Sequence, residues 1–215
     1  MYLFFRKLLS IVFHIKYRIN VIYPQNIPDL KGGYIIACNH QRYADPPMIA
    51  AVIRGKFSFM AKDELFKKNP FFAWLIRRCG AFPVSRGSGD DAPIRMSIEA
   101  VKKNRILVIF PEGTRSKDGA LLRMKSGVVL IASQAAVPVL PVCIRYGEKN
   151  VVDIAFGEMI PAEKVHIDEN DRHSMRNAAK CIGDAIAGLQ KKIYDAAGLP
   201  LPTSAKKHSG GEEDE

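Results

Sequence analysis

The chain of 215 residues is long enough for one domain with a sizeable core, and its 47% hydrophobic content is ordinary for a globular protein. Its four cysteines are scattered without a Cys-x-x-Cys pair, which favours buried free thiols in a reducing cytosol and argues against a zinc site. The net charge of +10 predicts an anionic partner such as nucleic acid, an anionic membrane or a phosphorylated substrate.

Residues 2–18 predict an amphipathic helix. One stripe is basic and polar and carries Arg6, Lys7, Ser10, His14 and Arg18. The broad remaining face is apolar and carries Tyr2, Phe4, Phe5, Leu8, Leu9, Ile11, Val12 and Ile15. This division is typical of a helix lying in the interface of an anionic bilayer, and the alternative is a terminal helix packed on its own domain. Interspersed charges argue against a signal peptide, and no apolar run there reaches the roughly 20 residues of a membrane span.

Strand-like and helix-like segments alternate along the chain. The predicted strands are residues 34–38, 57–61, 80–85, 105–110, 138–145 and an outer strand at 151–156. The predicted helices are residues 45–54, 62–68, 71–78, one capped by Asp90 or Asp91, 125–136, and a long amphipathic helix near the C-terminus. Residues 19–33 are interpreted as a connector, and the chain from residue 200 as a disordered tail. The alternation predicts an α/β fold, a single layered domain with a largely parallel β-sheet flanked by helices.

A histidine and an acid, His40 and Asp45, follow the first predicted strand. A neutral imidazole can accept a proton near pH 7, and a carboxylate that fixes its tautomer makes it a better base. Two alternatives remain open on spacing alone: Asp45 only caps the helix that begins at Pro46, and His40 is a structural histidine.

A polar loop, residues 110–116, follows the most apolar predicted strand. It carries Glu112, Gly113, Thr114 and Arg115. Ligands of open α/β sheets bind beyond the carboxyl ends of the strands, and an arginine can bind a phosphate with two hydrogen bonds. Arg86 follows another strand-like run, and Lys125 at a helix start adds positive potential for an anion. Read alone, Arg115 is equally consistent with a solvated surface turn, and Arg86 and Lys125, taken singly, are better explained as solvated surface charges.

Several common motifs are missing from the sequence. No Gly-x-Ser-x-Gly turn indicates a serine acyl-enzyme, and no Gly-x-x-x-x-Gly-Lys-Ser/Thr loop indicates nucleotide hydrolysis. No helix-turn-helix or RNP-type motif indicates that nucleic acid explains the positive charge.

Taken together, these segments resemble the glycerolipid acyltransferase family, and most closely the lysophosphatidic acid acyltransferases. The resemblance spans about residues 34–145. Four family blocks appear in order: the His-x4-Asp pair His40 and Asp45; Lys62, Glu64, Leu65, Gly80 and Arg86; Phe110-Pro-Glu-Gly-Thr-Arg-Ser116; and Val137-Pro-Val-Leu-Pro-Val142. The pair alone is a weak signal, but the four blocks in this order are very specific.

The resemblance implies transfer of a fatty acyl group from acyl-CoA or acyl-carrier protein to the sn-2 hydroxyl of 1-acyl-glycerol-3-phosphate, giving phosphatidic acid. It implies that His40 is the general base and that Asp45 orients it. Glu112, Gly113, Thr114 and Arg115, with Arg86 and more weakly Lys125, are then expected to bind the glycerol phosphate. The fourth block is expected to shape an apolar acyl site. No metal and no cofactor apart from the acyl donor are expected.

The residue patterning and the resemblance together give an expected organisation and location. Residues 1–20 are a membrane-docking helix, residues 21–199 the acyltransferase domain, and residues 200–215 a disordered tail. The protein is expected to lie peripherally on the cytoplasmic face of a membrane with an anionic surface, with no nucleic acid as partner. The alternatives are the same chemistry on glycerol 3-phosphate or another lysolipid, and a non-catalytic lipid-binding protein.

Overall fold

The computed structural model describes residues 2–67, 69–84, 91–168 and 171–203. Its strands are β1 (Arg18–Ile22), β2 (Tyr34–Cys38), β3 (Phe57–Lys62), β4 (Ala81–Val84), β5 (Ile106–Ile109), β6 (Val139–Tyr146) and β7 (Val151–Phe156). Its helices are α1 (Tyr2–Lys16), α2 (Asp45–Val52), α3 (Glu64–Lys67), α4 (Pro70–Arg78), α5 (Ala92–Lys102), α6 (Gly127–Ala135), α7 (Ala162–Val165) and α8 (Arg172–Ala196), with a 3-10 turn at Pro24–Asn26.

The strands form one seven-stranded sheet in the order β1-β7-β6-β2-β5-β3-β4. Strands β2 to β6 are parallel, β7 runs antiparallel to β6, and β1 runs parallel to β7. The predicted α/β class with a largely parallel sheet and flanking helices is therefore confirmed. The chain runs outward from β2 to β3 and β4, returns to β5, and then crosses to β6. The carboxyl ends of β5, β2 and β6 consequently lie side by side, where open α/β sheets place their ligands.

The core lies in two layers, one on each face of the sheet. Along β2, Tyr34, Ile36 and Cys38 pack in the layer that contains α2 and part of α1. The alternate residues Ile35 and Ala37 pack in the layer that contains α5, α6 and α8. All five residues are buried, as expected of a parallel strand covered on both faces.

The prediction of a connector over residues 19–33 is wrong at its start. Residues 18–22 form β1, which pairs with β7 through a register that joins Arg18 to Val151. The residues of this strand are exposed or partly exposed. Its sequence therefore does not need an uninterrupted apolar run like that of β2, and the run that identified β2 is missing from it. Strand β7 is accordingly not an outer strand, because β1 covers its free edge.

Asp91 precedes α5 but makes no side-chain capping hydrogen bond, and Asp90 lies outside the described residues.

Helix α1 packs on the domain through one stripe and exposes another. The Ser10 hydroxyl donates a hydrogen bond of 3.0 Å to the Ala51 carbonyl of α2, and Phe13 packs against the core. Ile11 and Ile15 are 49% and 81% exposed. The side chains of Tyr2, Phe4, Phe5, Arg6, Leu8 and Leu9 lie outside the described residues. Among the described helices, none is both long enough and apolar enough to cross a membrane.

Candidate active site

The turn that follows β2 holds His40 against a buried carboxylate. Nδ1 of His40 lies 2.7 Å from Oδ2 of Asp45, whose side chain is fully buried. An ionised carboxylate only accepts hydrogen bonds, so Nδ1 carries the proton and Nε2 keeps its lone pair. The His40 side chain is 18% exposed, which lets it present that lone pair to a substrate.

Asp45 organises the turn rather than capping the helix. It is the first residue of α2, and the N-cap residue Ala44 makes no side-chain capping hydrogen bond. The Asp45 carboxylate instead turns back, where Oδ2 accepts hydrogen bonds from the backbone amides of Gln41 and Arg42 at 2.7 and 2.9 Å. The backbone between His40 and Asp45 is thereby folded around one carboxylate oxygen, which explains why a spacing of five brings the two side chains together.

Tyr146, at the carboxyl end of β6, satisfies the second oxygen of Asp45. Its hydroxyl donates a hydrogen bond of 2.6 Å to Oδ1. Burial, and then the negative charge of Asp45, raise the pKa of Tyr146 far above its usual value, so the hydroxyl stays a donor at any working pH. The guanidinium of Arg42 lies over the Tyr146 ring, 4.1 Å from its centroid.

Asn39 fixes the direction in which the chain leaves β2. This residue is 2% exposed, and its amide exchanges two hydrogen bonds with the backbone of Ile144, at 2.9 and 2.7 Å. The side chain of Gln41 adds a third bond to the same carbonyl, at 3.0 Å. These bonds extend the pairing of β2 with β6 past the last strand residue, so His40 is carried on a rigid frame.

The loop after β5 packs against the histidine. The Phe110 ring stacks on the His40 ring with centroids 4.1 Å apart and an interplanar angle of 23°. The backbone amide of Ser116 donates a hydrogen bond of 2.7 Å to the His40 carbonyl. The loop is therefore attached to the His40 turn both through its side chains and through its backbone.

Glu112 is a buried carboxyl group that links three segments. It is 6% exposed, and its two oxygens accept hydrogen bonds from the backbone amides of His40 at 3.3 Å and Leu122 at 3.4 Å. Both distances exceed the usual range for such bonds, so they offset the loss of solvent only in part. Burial, with a smaller contribution from the charge of Asp45, raises the pKa of Glu112 to about 7.

The remaining loop residues form an exposed, cationic rim. Gly113 has a φ of +69°, and a side chain there would meet Nζ of Lys125 at 2.9 Å, so the lysine crosses directly over this glycine. Thr114 and Arg115 are exposed. The Arg115 guanidinium lies over the ring of Tyr43 at 3.6 Å, which holds it beside the His40 turn. Of the predicted site residues, the structure thus brings together His40, Asp45, Glu112, Gly113, Thr114, Arg115 and Lys125.

Arg86 lies outside the described residues. The strand that precedes it, β4, is the edge strand of the sheet and lies three strands away from β2. Neighbouring strands are about 4.8 Å apart, so the ends of β4 and β2 are separated by roughly 14 Å along the same edge of the sheet.

A cleft of about 1190 Å³ opens beside Glu112, between residues 121–126 and α8. Its walls include the apolar side chains of Leu121, Leu122, Met124, Met175 and Ile186. Its charged lining residues are the cations Arg123, Lys125, Arg176 and Lys180 and, besides Glu112, the acids Asp171 and Asp184. The fourth block does not line this cleft, because Val139 to Val142 are buried in the centre of the sheet.

Sequence reasoning missed Tyr146 and gave no role to Asn39 or Phe110. Tyr146 lies 101 positions from Asp45 along the chain, and nothing in its local sequence marks it. The signal that could have found it is topological, since residues at the ends of neighbouring parallel strands meet at one edge. Asn39 was visible as a polar residue at the end of an entirely buried strand.

Comparison with known families matches this geometry to one of them. The model of a family described as Acyltransferase matches residues 18–145, more than half of the chain. A 1-acyl-sn-glycerol-3-phosphate acyltransferase of Streptococcus pneumoniae is 40% identical over 118 residues, which are 54% of this chain and 43% of that protein. A 1-acyl-sn-glycerol-3-phosphate acyltransferase of Bacillus subtilis is 26% identical over 202 residues, which are 90% of this chain and 98% of that protein.

A solved structure has the same fold. It is the crystal structure of the 1-acyl-sn-glycerophosphate (LPA) acyltransferase, PlsC, from Thermotoga maritima. The two chains superpose with a TM-score of 0.71 at 26% identity, over 89% of this chain and 79% of the other.

Proposed function

Because the chain belongs to the Acyltransferase family, we propose that it transfers a fatty acyl group from a thioester to the sn-2 hydroxyl of 1-acyl-glycerol-3-phosphate, giving phosphatidic acid. The observation that carries the proposal is the contact of 2.7 Å between His40 and Asp45, inside the segment that matches the family. The names of the Streptococcus and Bacillus relatives and of the Thermotoga structure support this acceptor.

In the proposed mechanism, Nε2 of His40 takes the proton of the acceptor hydroxyl as its oxygen attacks the thioester carbonyl. The bond from the carbonyl carbon to sulfur then breaks, and the leaving thiolate recovers the proton from His40. Asp45 holds the Nδ1 proton in place and stabilises the imidazolium that forms between these steps. The hydroxyl attacks the thioester directly, so the step requires no nucleophilic side chain.

The cations at the loop after β5 suit the phosphate of the acceptor. Arg115 and Lys125 are exposed beside the His40 turn, where a guanidinium and an ammonium can bind a phosphate monoester. Arg86 is proposed as a third cation that contacts it. Glu112 is proposed to position the turn, since both of its oxygens contact backbone amides.

The apolar part of the substrates also has a candidate place. The cleft beside Glu112 has an apolar wall and charged lining residues of both signs, which suit a fatty acyl chain ending in a charged carrier or headgroup. Helix α1 is proposed to dock on an anionic membrane, because Ile11, Val12 and Ile15 are exposed and cations flank them. The side of the membrane proposed for this contact is the cytoplasmic face.

The direct test is a transfer assay on the purified chain. Radiolabelled 1-acyl-glycerol-3-phosphate is offered with acyl-CoA or with acylated acyl-carrier protein, and glycerol 3-phosphate and a lysolipid without a phosphate monoester are offered in parallel. We expect phosphatidic acid from the first acceptor at a kcat/KM well above that of the others. A preference for glycerol 3-phosphate or another lysolipid would overturn the acceptor, and no transfer to any acceptor would leave a lipid-binding role.

A further inference from the structure

Helix α4 exposes large aromatic side chains at the surface of the domain. Phe71, Phe72 and Trp74 are 70%, 42% and 40% exposed, whereas Ala73 between them is buried. The rings of Phe71 and Trp74 stack on each other with centroids 6.0 Å apart. A contiguous cluster of large apolar side chains on a protein surface indicates an interaction site for another protein or for a membrane.

Two arginines lie near these aromatic side chains. The guanidinium of Arg78 lies 5.5 Å from the Trp74 ring centroid, and that of Arg77 lies 4.7 Å from the Phe66 ring centroid. Both arginines are exposed. We call Phe71, Phe72, Trp74, Arg77 and Arg78 the α4 patch. Aromatic rings with cations over them form an amphipathic surface that suits the boundary between acyl chains and anionic headgroups.

The position of α4 in the fold sets its relation to α1. Helices α2 and α4 both lie in crossovers that run outward along the sheet, from β2 to β3 and from β3 to β4. Right-handed crossovers that run in the same direction put their helices on the same face of the sheet. By this rule α4 lies on the face of the sheet that α2 covers. Helix α1 packs on α2, so it belongs to that face as well. Strand β3 ends at the carboxyl edge of the sheet, the edge at which His40 follows β2, and α4 comes after β3 and α3 in the chain.

We propose that the α4 patch is a second membrane-contacting surface, which inserts Phe71, Phe72 and Trp74 into the interface of an anionic bilayer. The proposal goes beyond α1, and it concerns binding to lipid rather than catalysis. We favour a bilayer over a protein partner because α1 also exposes the apolar side chains Ile11, Val12 and Ile15, and because the guanidinium of Arg78 lies over the Trp74 ring. Two separated contacts fix an orientation that one helix alone leaves free.

Trp74 provides the test, because it is the one tryptophan of the chain. The full chain is titrated with vesicles of phosphatidylcholine and phosphatidylglycerol while tryptophan emission is recorded. We expect the emission to shift to shorter wavelength, and vesicles with brominated acyl chains to quench it. A chain that sediments with the vesicles while its emission stays unchanged and unquenched would overturn the proposal, because docking would then occur without α4.

Variants of the patch give an independent measurement. Phe71→Ser with Phe72→Ser should weaken the partition onto these vesicles by roughly 10-fold or more, since even one of the two rings removed from an apolar environment costs about that factor. Both side chains are exposed, so thermal unfolding should change little. The matched control is Met96→Ser on α5, a 39% exposed apolar side chain in a helix that packs on the other face of the sheet.

Two further outcomes bear on the proposal. Equal partition of the double variant, the control and the wild type would contradict it. Loss of self-association in the double variant, seen by sedimentation velocity without any change in vesicle binding, would assign the patch to a second copy of the chain instead. Neither measurement depends on catalysis, so the proposed activity can fail while this proposal stands.

Discussion

At the scale of single residues, the site is a buried carboxylate whose oxygens are all satisfied by short bonds. Asp45 accepts bonds from His40, from two backbone amides and from the Tyr146 hydroxyl. Each bond removes a direction in which the carboxylate could turn. The orientation of His40 is therefore a property of the whole cluster, and the sequence pair His40 and Asp45 describes only half of it.

Tyr146→Phe removes the hydrogen bond to Asp45 that the sequence did not predict. Losing one hydrogen bond to a buried carboxylate should lower the free energy of unfolding by about 1–3 kcal/mol. It should also lower kcat by roughly 10-fold, which corresponds to about 1.4 kcal/mol in the barrier. KM should stay nearly constant if Tyr146 acts only through Asp45. Steady-state kinetics with lysophosphatidic acid, together with chemical unfolding, measure both effects.

Tyr34→Phe is the matched control for that substitution. The Tyr34 hydroxyl is buried without a hydrogen-bond partner among the residues that the structure describes, and burial raises its pKa to about 12. Removing it should raise the free energy of unfolding by about 1 kcal/mol and leave kcat unchanged. Equal kinetics in both variants would contradict the role given to Tyr146.

Glu112 predicts a pH dependence of stability. Its pKa rises from an ordinary value near 4.5 to about 7 on folding, so the folded chain holds a proton that the unfolded chain releases in this interval. The stabilisation is fully present below pH 4.5 and is lost as the pH rises through 7, by about 3 kcal/mol at most. Glu112→Gln should remove this fall, and urea unfolding between pH 4.5 and 8 measures it.

The control for the pH profile is Glu163→Gln, which changes an exposed carboxylate on α7. This variant should keep the slope of the wild type. Parallel profiles for the wild type and Glu112→Gln would show that Glu112 titrates as an ordinary carboxyl group.

At the scale of elements, periodicity found the buried segments and missed the partly exposed one. The apolar runs of β2, β5 and β6 are buried on both faces, and each was predicted close to its observed bounds. Strand β1 was missed because its order comes from pairing with β7, a partner more than a hundred positions away. The patterning of α1 predicted a helix, but it could not tell that Ser10, assigned to the polar stripe, would contact α2.

The exposed stripe of α1 can be tested without deleting the helix. Removal of residues 2–18 would also remove Phe13 and Tyr17 from the core, so a loss of binding would be ambiguous. Ile11→Ser with Ile15→Ser changes only exposed side chains and should leave thermal unfolding nearly unchanged. Partition onto anionic vesicles should fall by roughly 10-fold or more. Unchanged sedimentation with the vesicles would remove α1 as a membrane contact.

At the scale of the whole molecule, the strand order gathers residues that are distant in sequence. His40, Glu112 and Tyr146 follow or end β2, β5 and β6, which are neighbours in the sheet. The α/β class and family membership could be predicted from the sequence, because alternating segments and four ordered blocks are local signals. The strand order was not predicted, so the contact of Tyr146 with Asp45 could not be predicted either.

The central claim is that His40, held by Asp45, removes the proton of a lipid hydroxyl. The measurement that tests it most directly is kcat for transfer to lysophosphatidic acid by the wild type and by His40→Ala, with thermal unfolding recorded for both. We expect kcat to fall by roughly 10²–10⁴-fold or more in a variant that still folds. If alanine perturbs folding, His40→Gln is used instead, because it keeps a polar side chain in the turn. Its kcat should fall by the same factor. A folded variant that keeps a rate near that of the wild type would contradict the account.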